Sequence, residues 1–299
     1  MDILSINGLS KSFGDKKVLA GVDLSVPEHS VFGFIGRNGA GKTTTMRSVL
    51  GLVRTDGGAI RVCGEKVVYG QTPTNRYIGY LPDVPEFYPF MNAEEYLKLC
   101  GESLRMSGDV IKKRSGELLE LVGLAGEKHR IKGFSRGMKQ RLGIAQALIG
   151  SPKLLICDEP TSALDPIGRK EILDILLNVR EQTTVLFSTH ILSDIERICT
   201  DIAFLEGGRI SMCGSAAEIK RIGDTKEFFV ETLSDSDATL LAESFDGARI
   251  SADRQVTFVG EEDRMFEVLS FISQKKLSVT KVERQETSLE SVFLEVASK

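Results

Sequence analysis

Long apolar runs are missing from this sequence. No stretch of the 299 residues approaches the ~18 uncharged apolar residues that a membrane-crossing helix requires. The strongest runs, 153–157 and 172–177, have the length of buried strands or helix faces. The first residues include Asp2 and Asn7 and lack a basic stretch followed by an apolar one, so no secretory leader is read there. An excess of one charge is missing too. Lys and Arg total 38 against 42 Asp and Glu, a net charge of −4, which leaves no electrostatic footprint for nucleic acid or an anionic membrane surface. Cysteine is sparse. Cys63, Cys100, Cys157, Cys199 and Cys213 are odd in number and lack metal-ligand spacing, so they read as reduced thiols of a cytosolic protein. The remaining balance, 41% hydrophobic and 27% charged, is that of an ordinary globular chain. Its length suits one large domain plus a small one, or two medium ones.

Apolar residues alternate in 3–9 and 18–26, and 31–35 is a short apolar run ending at glycine; all three read as strands. A helix is expected from about Thr43. Across 94–104, 110–122 and 140–149 the apolar residues fall three and four apart, as in amphipathic helices. Strand signals return at 154–157, 185–188 and 202–205, with a helical stretch at 169–180. Strands alternating with helices imply a mainly parallel sheet covered on both faces, here interrupted by a helical block. Past Ile219 the character changes. Strands are expected at 227–231, 255–259 and 277–282, and a helix at 261–274. A last helix has Thr287 and Glu290 placed as a capping box and sets Leu289, Val292, Phe293 and Val296 on one side. Seven of the 15 phenylalanines lie in this tail, enough for a small core that is marginal alone, so it is expected to dock on something.

Gly36-Arg-Asn38-Gly39-Ala40-Gly41-Lys42-Thr43-Thr44 contains G-x-x-x-x-G-K-[ST], after an apolar strand and before a helix. Glycines let backbone N–H groups turn inward around phosphate oxygens at the positive end of a helix dipole. Lys42 then supplies a point charge to the β- and γ-phosphates, and the Thr43 hydroxyl is a Mg²⁺ ligand. A second strand, 154–157, ends in Asp158 and Glu159. In an α/β sheet ligands bind at the carboxyl ends of strands, so the pair should face the loop. Asp158 suits a Mg²⁺ held through water, and Glu159 is placed to aim at a water in line with the γ-phosphate. Taken alone the pair reads equally well as a solvated acidic turn; beside the loop the site reading prevails.

Further motifs carry a resemblance. Phe134-Ser135-Arg136-Gly137-Met138 resembles the L-S-G-G-Q signature of ABC ATPases. Leu164-Asp165 after Thr161-Ser-Ala matches that family's D-loop, and Ser188-Thr189-His190 its switch histidine, 31 residues after Glu159. Phe13 lies 23 residues before Gly36, where the family stacks an aromatic on adenine. Order and spacing agree from residue 1 to about 215. Three motifs depart from the pattern, at five positions. Phe134, Arg136 and Met138 replace the usual Leu, Gly and Gln, while Ser135 and Gly137, which contact the γ-phosphate in the family, are kept. Asp83, in Ile78-Gly-Tyr-Leu-Pro-Asp83, replaces the Q-loop glutamine at the metal- and water-sensing position; aspartate is still a hard oxygen ligand. Phe13 replaces the commoner tyrosine.

The resemblance implies a P-loop α/β fold with an antiparallel N-terminal β-subdomain, a helical subdomain at about 84–150 within an ATPase domain of 1–219, and a small α+β domain at 220–299. It implies an ATPase using ATP and Mg²⁺, with Lys42, Glu159 and His190 catalytic, Thr43, Asp83 and Asp158 at the metal, and Phe13 with the loop residues on the nucleotide. Ser135 and Gly137 would reach the ATP of a second protomer, giving a homodimer or a pair with a homologous ATPase. The expected partner is an integral membrane permease in a separate chain, gripped through the helical subdomain, where Phe87, Tyr88, Phe90 and Met91 cluster; no nucleic acid is expected. That places the chain in the cytoplasm, peripheral on the inner face of the membrane. The tail resembles the C-terminal extension of a branch exporting drugs, antimicrobial peptides or sodium. A non-transport ABC ATPase acting on a ribosomal or other cytosolic complex is the alternative. About 90 residues separate Lys42 from Ser135 without sustained heptads, which speaks against a chromosome-associated member.

Overall fold

The computed structural model describes residues 2–71, 73–222, 227–284, 289 and 292. The expected last helix lies largely outside these residues. The chain forms two compact units, Met1–Ala216 and Ala217–Lys299.

In the first unit, β1 (Asp2–Phe13), β2 (Lys16–Pro27), β4 (Gly57–Val62) and β5 (Glu65–Lys66) form an antiparallel sheet in the order β2-β1-β4-β5. Alternation turns Leu4 and Ile6 of β1 and Val22, Leu24 and Val26 of β2 into the core, which Leu9 joins after a register shift in β1. A six-stranded sheet runs β10-β9-β3-β8-β7-β6, built from β3 (Val31–Ile35), β6 (Ile78–Leu81), β7 (Leu154–Asp158), β8 (Thr184–Thr189), β9 (Asp201–Glu206) and β10 (Arg209–Ser215). All its pairings are parallel except the edge pair β9–β10. The central strands β3, β7 and β8 are buried at every residue, which explains their continuous apolar runs. The helices are α1 (Lys42–Val49), α2 (Ala93–Ser103), α3 (Gly108–Leu121), α4 (Arg136–Leu148), α5 (Pro166–Val179) and α6 (Leu192–Ile198). Asn92 and Glu95 make a capping box that starts α2. Helix α4 starts four residues before the apolar periodicity suggests, because the Ser135 hydroxyl caps it by accepting from the Met138 N–H at 3.2 Å.

Helix α7 (Ala216–Ile222) crosses the division between the units. The second unit contains β11 (Glu227–Thr232), α8 (Asp235–Ser244), β12 (Arg249–Ala252), β13 (Gln255–Val259), α9 (Glu262–Lys275) and β14 (Val279–Arg284), with antiparallel sheet order β12-β13-β11-β14. This β-α-β-β-α-β order is the split βαβ arrangement. Periodicity had pointed to neither α8 nor β12. Helix α8 mixes Ala, Leu, Ser and Asp with little amphipathic contrast, and every residue of β12 is exposed. The unit has its own core, with Phe228 stacked on Phe258 at 5.1 Å and Phe245 edge-on to both Phe258 and Phe271.

Candidate functional site

Parallel register brings the carboxyl ends of three strands level. Ile35 pairs with Thr189, and Asp158 with Ser188. The loop after β3, the acidic turn after β7 and the turn after β8 therefore open at one edge of the sheet. A cleft of about 590 Å³ lies there, lined by Phe13, Asn38, Gly39, Gly41, Lys42, Thr43, Thr44, Asp83, Asp158, Glu159 and His190, with Lys16, Val18 and Ser162. The loop needs glycine at two positions. A Cβ on Gly36 would lie 2.7 Å from the Leu205 carbonyl oxygen, and Gly41 caps α1 at φ 111° with Leu19 and Val18 pressed against it.

Lys42 is buried, its ammonium donating to the Gly36 carbonyl at 2.6 Å and lying 3.0 Å from a Glu159 carboxylate oxygen. The other Glu159 oxygen is 2.9 Å from His190 Nδ1. Lys42, Glu159 and His190, from three different segments, thus stand in one chain of contacts. Glu159 has φ 47°, a left-handed conformation that is costly for a non-glycine residue. Its backbone N–H is held by the Ser188 hydroxyl at 3.0 Å, and that hydroxyl donates to Asp158 at 2.7 Å. Ser188 is fully buried. It was not among the residues singled out from the sequence, where it appears only as the residue two before the switch histidine.

Asp83 enters the cleft from the turn after β6. Burial pushes its carboxyl up, Arg136 pulls it down, and Asp158 and Glu159 push it up further. Its Oδ1 is closed to solvent and has no hydrogen-bond partner among the described residues. No cluster of three or more His, Cys, Asp or Glu side chains suited to a metal occurs among the described residues. Thr43, Asp83 and Asp158 offer only hard oxygen donors, so a divalent ion here would need phosphate and water oxygens to complete its shell. Mg²⁺ takes that kind of site.

Phe13 is 53% exposed, so it is an open aromatic face and no part of the core; the Lys11 ammonium lies 5.0 Å from its ring centroid. Gly36 and Ala40 support the loop without lining the cleft, and Ser135 and Gly137 lie outside its lining. The D-loop is anchored from beneath by Asp194 of α6, a buried carboxylate accepting from Thr161 at 2.7 Å and Arg169 at 2.6 Å. Phe87 and Tyr88 pack on Tyr96 of α2, while Tyr88 and Phe90 also keep about half their surface open, at 51% and 59%.

Residues 19–162 match the ABC transporter family. An ABC transporter ATP-binding protein of Bacillus subtilis, YxlF, is 38% identical over 98% of this chain and 99% of its own length. This chain belongs to the ABC transporter ATP-binding proteins, ATPases coupled to transport. The bacitracin transport ATP-binding protein BcrA of Bacillus licheniformis is 33% identical over 98% of this chain and 97% of its own. A solved ATP-binding subunit of an ABC transporter superposes with a TM-score of 0.65 at 32% identity, covering 74% of this chain and 92% of that one. The ABC assignment and the P-loop α/β fold expected from the motifs both hold. The cleft therefore opens at the phosphate-loop motif of an ABC ATPase subunit, and among the described residues no helix is long and apolar enough to cross a membrane.

Proposed function

We propose that this chain hydrolyses ATP at the cleft to drive a permease carried on a separate chain, as an exporter, and that two protomers close head to tail on two ATP molecules. The observation that carries the reading is the run of contacts Lys42–Glu159–His190 beside the phosphate loop. Lys42 and the loop amides neutralise charge on the transferred phosphoryl group, and Glu159 orients or deprotonates the attacking water. His190, already on a Glu159 oxygen, holds γ-phosphate and water in register. Ser188 fixes the backbone from which Glu159 projects. Mg²⁺ held by Thr43, Asp83 and Asp158 would supply charge neutralisation between the phosphates. Phe13 offers its open face to adenine. Ser135 and Gly137, outside their own cleft, are assigned to the ATP of the facing protomer through a two-fold interface.

Export is supported by the relative named for bacitracin transport and by the tail, read as an accessory domain following the ATPase domain. The half-open aromatics Tyr88 and Phe90 suit an apolar partner segment, which would hold the chain at the inner face of the membrane. Glu159→Gln tests the core of this reading. ATP binding should persist, hydrolysis should fall by roughly 10²-fold or more, and ATP should trap a dimer visible by size-exclusion chromatography. Hydrolysis near the parent rate would remove Glu159 from its role.

A further inference from the structure

Arg136 stands in an unfavourable place for a cation. It opens α4, where the helix dipole is positive, and no acidic residue lies in the first turn to offset it. Its guanidinium turns back to the Asp83 carboxylate, 3.7 Å away. Asp83 is brought there by the same helix. Gln140, one turn further along and buried, donates from Nε2 to the Asp83 carbonyl at 2.6 Å. Gly143 continues that face, leaving no room for a Cβ, which would lie 2.5 Å from Leu81 and 3.4 Å from Pro85 on either side of Asp83. The face of α4 bearing residues 136, 140 and 143 is therefore docked along the turn that carries Asp83. An ion pair about half exposed on both sides adds little stability, so its significance lies in what it does to Asp83.

We propose that Arg136 is a positioning residue for Asp83: it sets the direction and the effective charge of that carboxylate at the nucleotide cleft. Asp83 adds a negative charge beside Asp158 and Glu159, which repel it; Arg136, ahead of His190, offsets it, and Arg136 is the cation in ion-pair contact with it among the described residues. Two of the departures from the family pattern, aspartate for glutamine and arginine for glycine, thus cancel in formal charge and form an ion pair. Because α4 also begins at Ser135 and Gly137, one helix carries both the Asp83 contact and the residues assigned to the facing protomer.

The inference rests on the reading of Asp83 as metal-facing, and the experiment separates the two. A fluorescent non-hydrolysable ATP analogue is bound to the full chain, and the Mg²⁺ concentration giving half-maximal binding is measured in the parent, Arg136→Gly, Asp83→Gln and the double variant. Arg136→Gly should lower that concentration roughly two- to fivefold, because Mg²⁺ no longer competes with the guanidinium for Asp83. Asp83→Gln should raise it. In the Asp83→Gln background, Arg136→Gly should change nothing within twofold. Equal shifts from Arg136→Gly in both backgrounds, or no shift in either, overturn the positioning role. An Asp83→Gln titration that matches the parent instead overturns the metal-facing reading, and the inference with it.

Discussion

Replacing Ser188 with alanine removes one oxygen, yet its effect should be large. The hydroxyl donates to the Asp158 carboxylate at 2.7 Å and accepts from the Glu159 N–H at 3.0 Å, and the residue is fully buried in the central strand β8. A hydrogen bond to a charged group contributes about 1.5–3 kcal/mol, and a buried N–H left without an acceptor costs about 1–3 kcal/mol. The space vacated by one oxygen is marginal for a water, so replacement by solvent is restricted. The two losses share one atom and do not simply add; a net cost of about 3 kcal/mol is expected. For a unit of this size about 1 kcal/mol corresponds to 2–4 °C in Tm, so the transition of the first unit should fall by roughly 6–12 °C in differential scanning calorimetry. Activity should fall further than stability explains, since the φ of 47° at Glu159 then lacks its tether. A shift under about 2 °C would refute the bridge as the support of the two carboxylates.

Asp194→Ala should destabilise the chain by about 3 kcal/mol, because Arg169 loses the partner of a buried charge contact and Thr161 its acceptor; equilibrium unfolding monitored by circular dichroism reads this directly, and a cost below about 1 kcal/mol would contradict it. Gly143→Ala should cost about 1–3 kcal/mol by overpacking against Leu81 and Pro85, and the same unfolding measurement checks it.

What the sequence revealed of the site divides by distance along the chain. The phosphate loop and the strand-end carboxylates are contiguous motifs at strand ends, so the placement of Lys42, Asp158 and Glu159 at one cleft was legible. The contact between Asp158 and Ser188 depends on the register of β7 against β8, which no local pattern encodes. The Arg136–Asp83 pair spans the packing of α4 on β6 and looks, on the sequence alone, like two unrelated departures from a motif. In the tail, Phe228 and Phe258 foretold a core, whereas the weakly amphipathic α8 and the exposed β12 gave no periodic signal.

On the proposed function, the contact between Lys42 and Glu159, at 3.0 Å with both side chains largely shielded from solvent, would make nucleotide entry an exchange reaction. A phosphate that engages the Lys42 ammonium takes it from a carboxylate, so measured affinity reports the difference between two anions competing for one cation. The released Glu159 oxygen becomes available in the same event. If Glu159 is the base proposed above, a base engaged until its phosphate displaces it would be kept from acting on water in the absence of substrate.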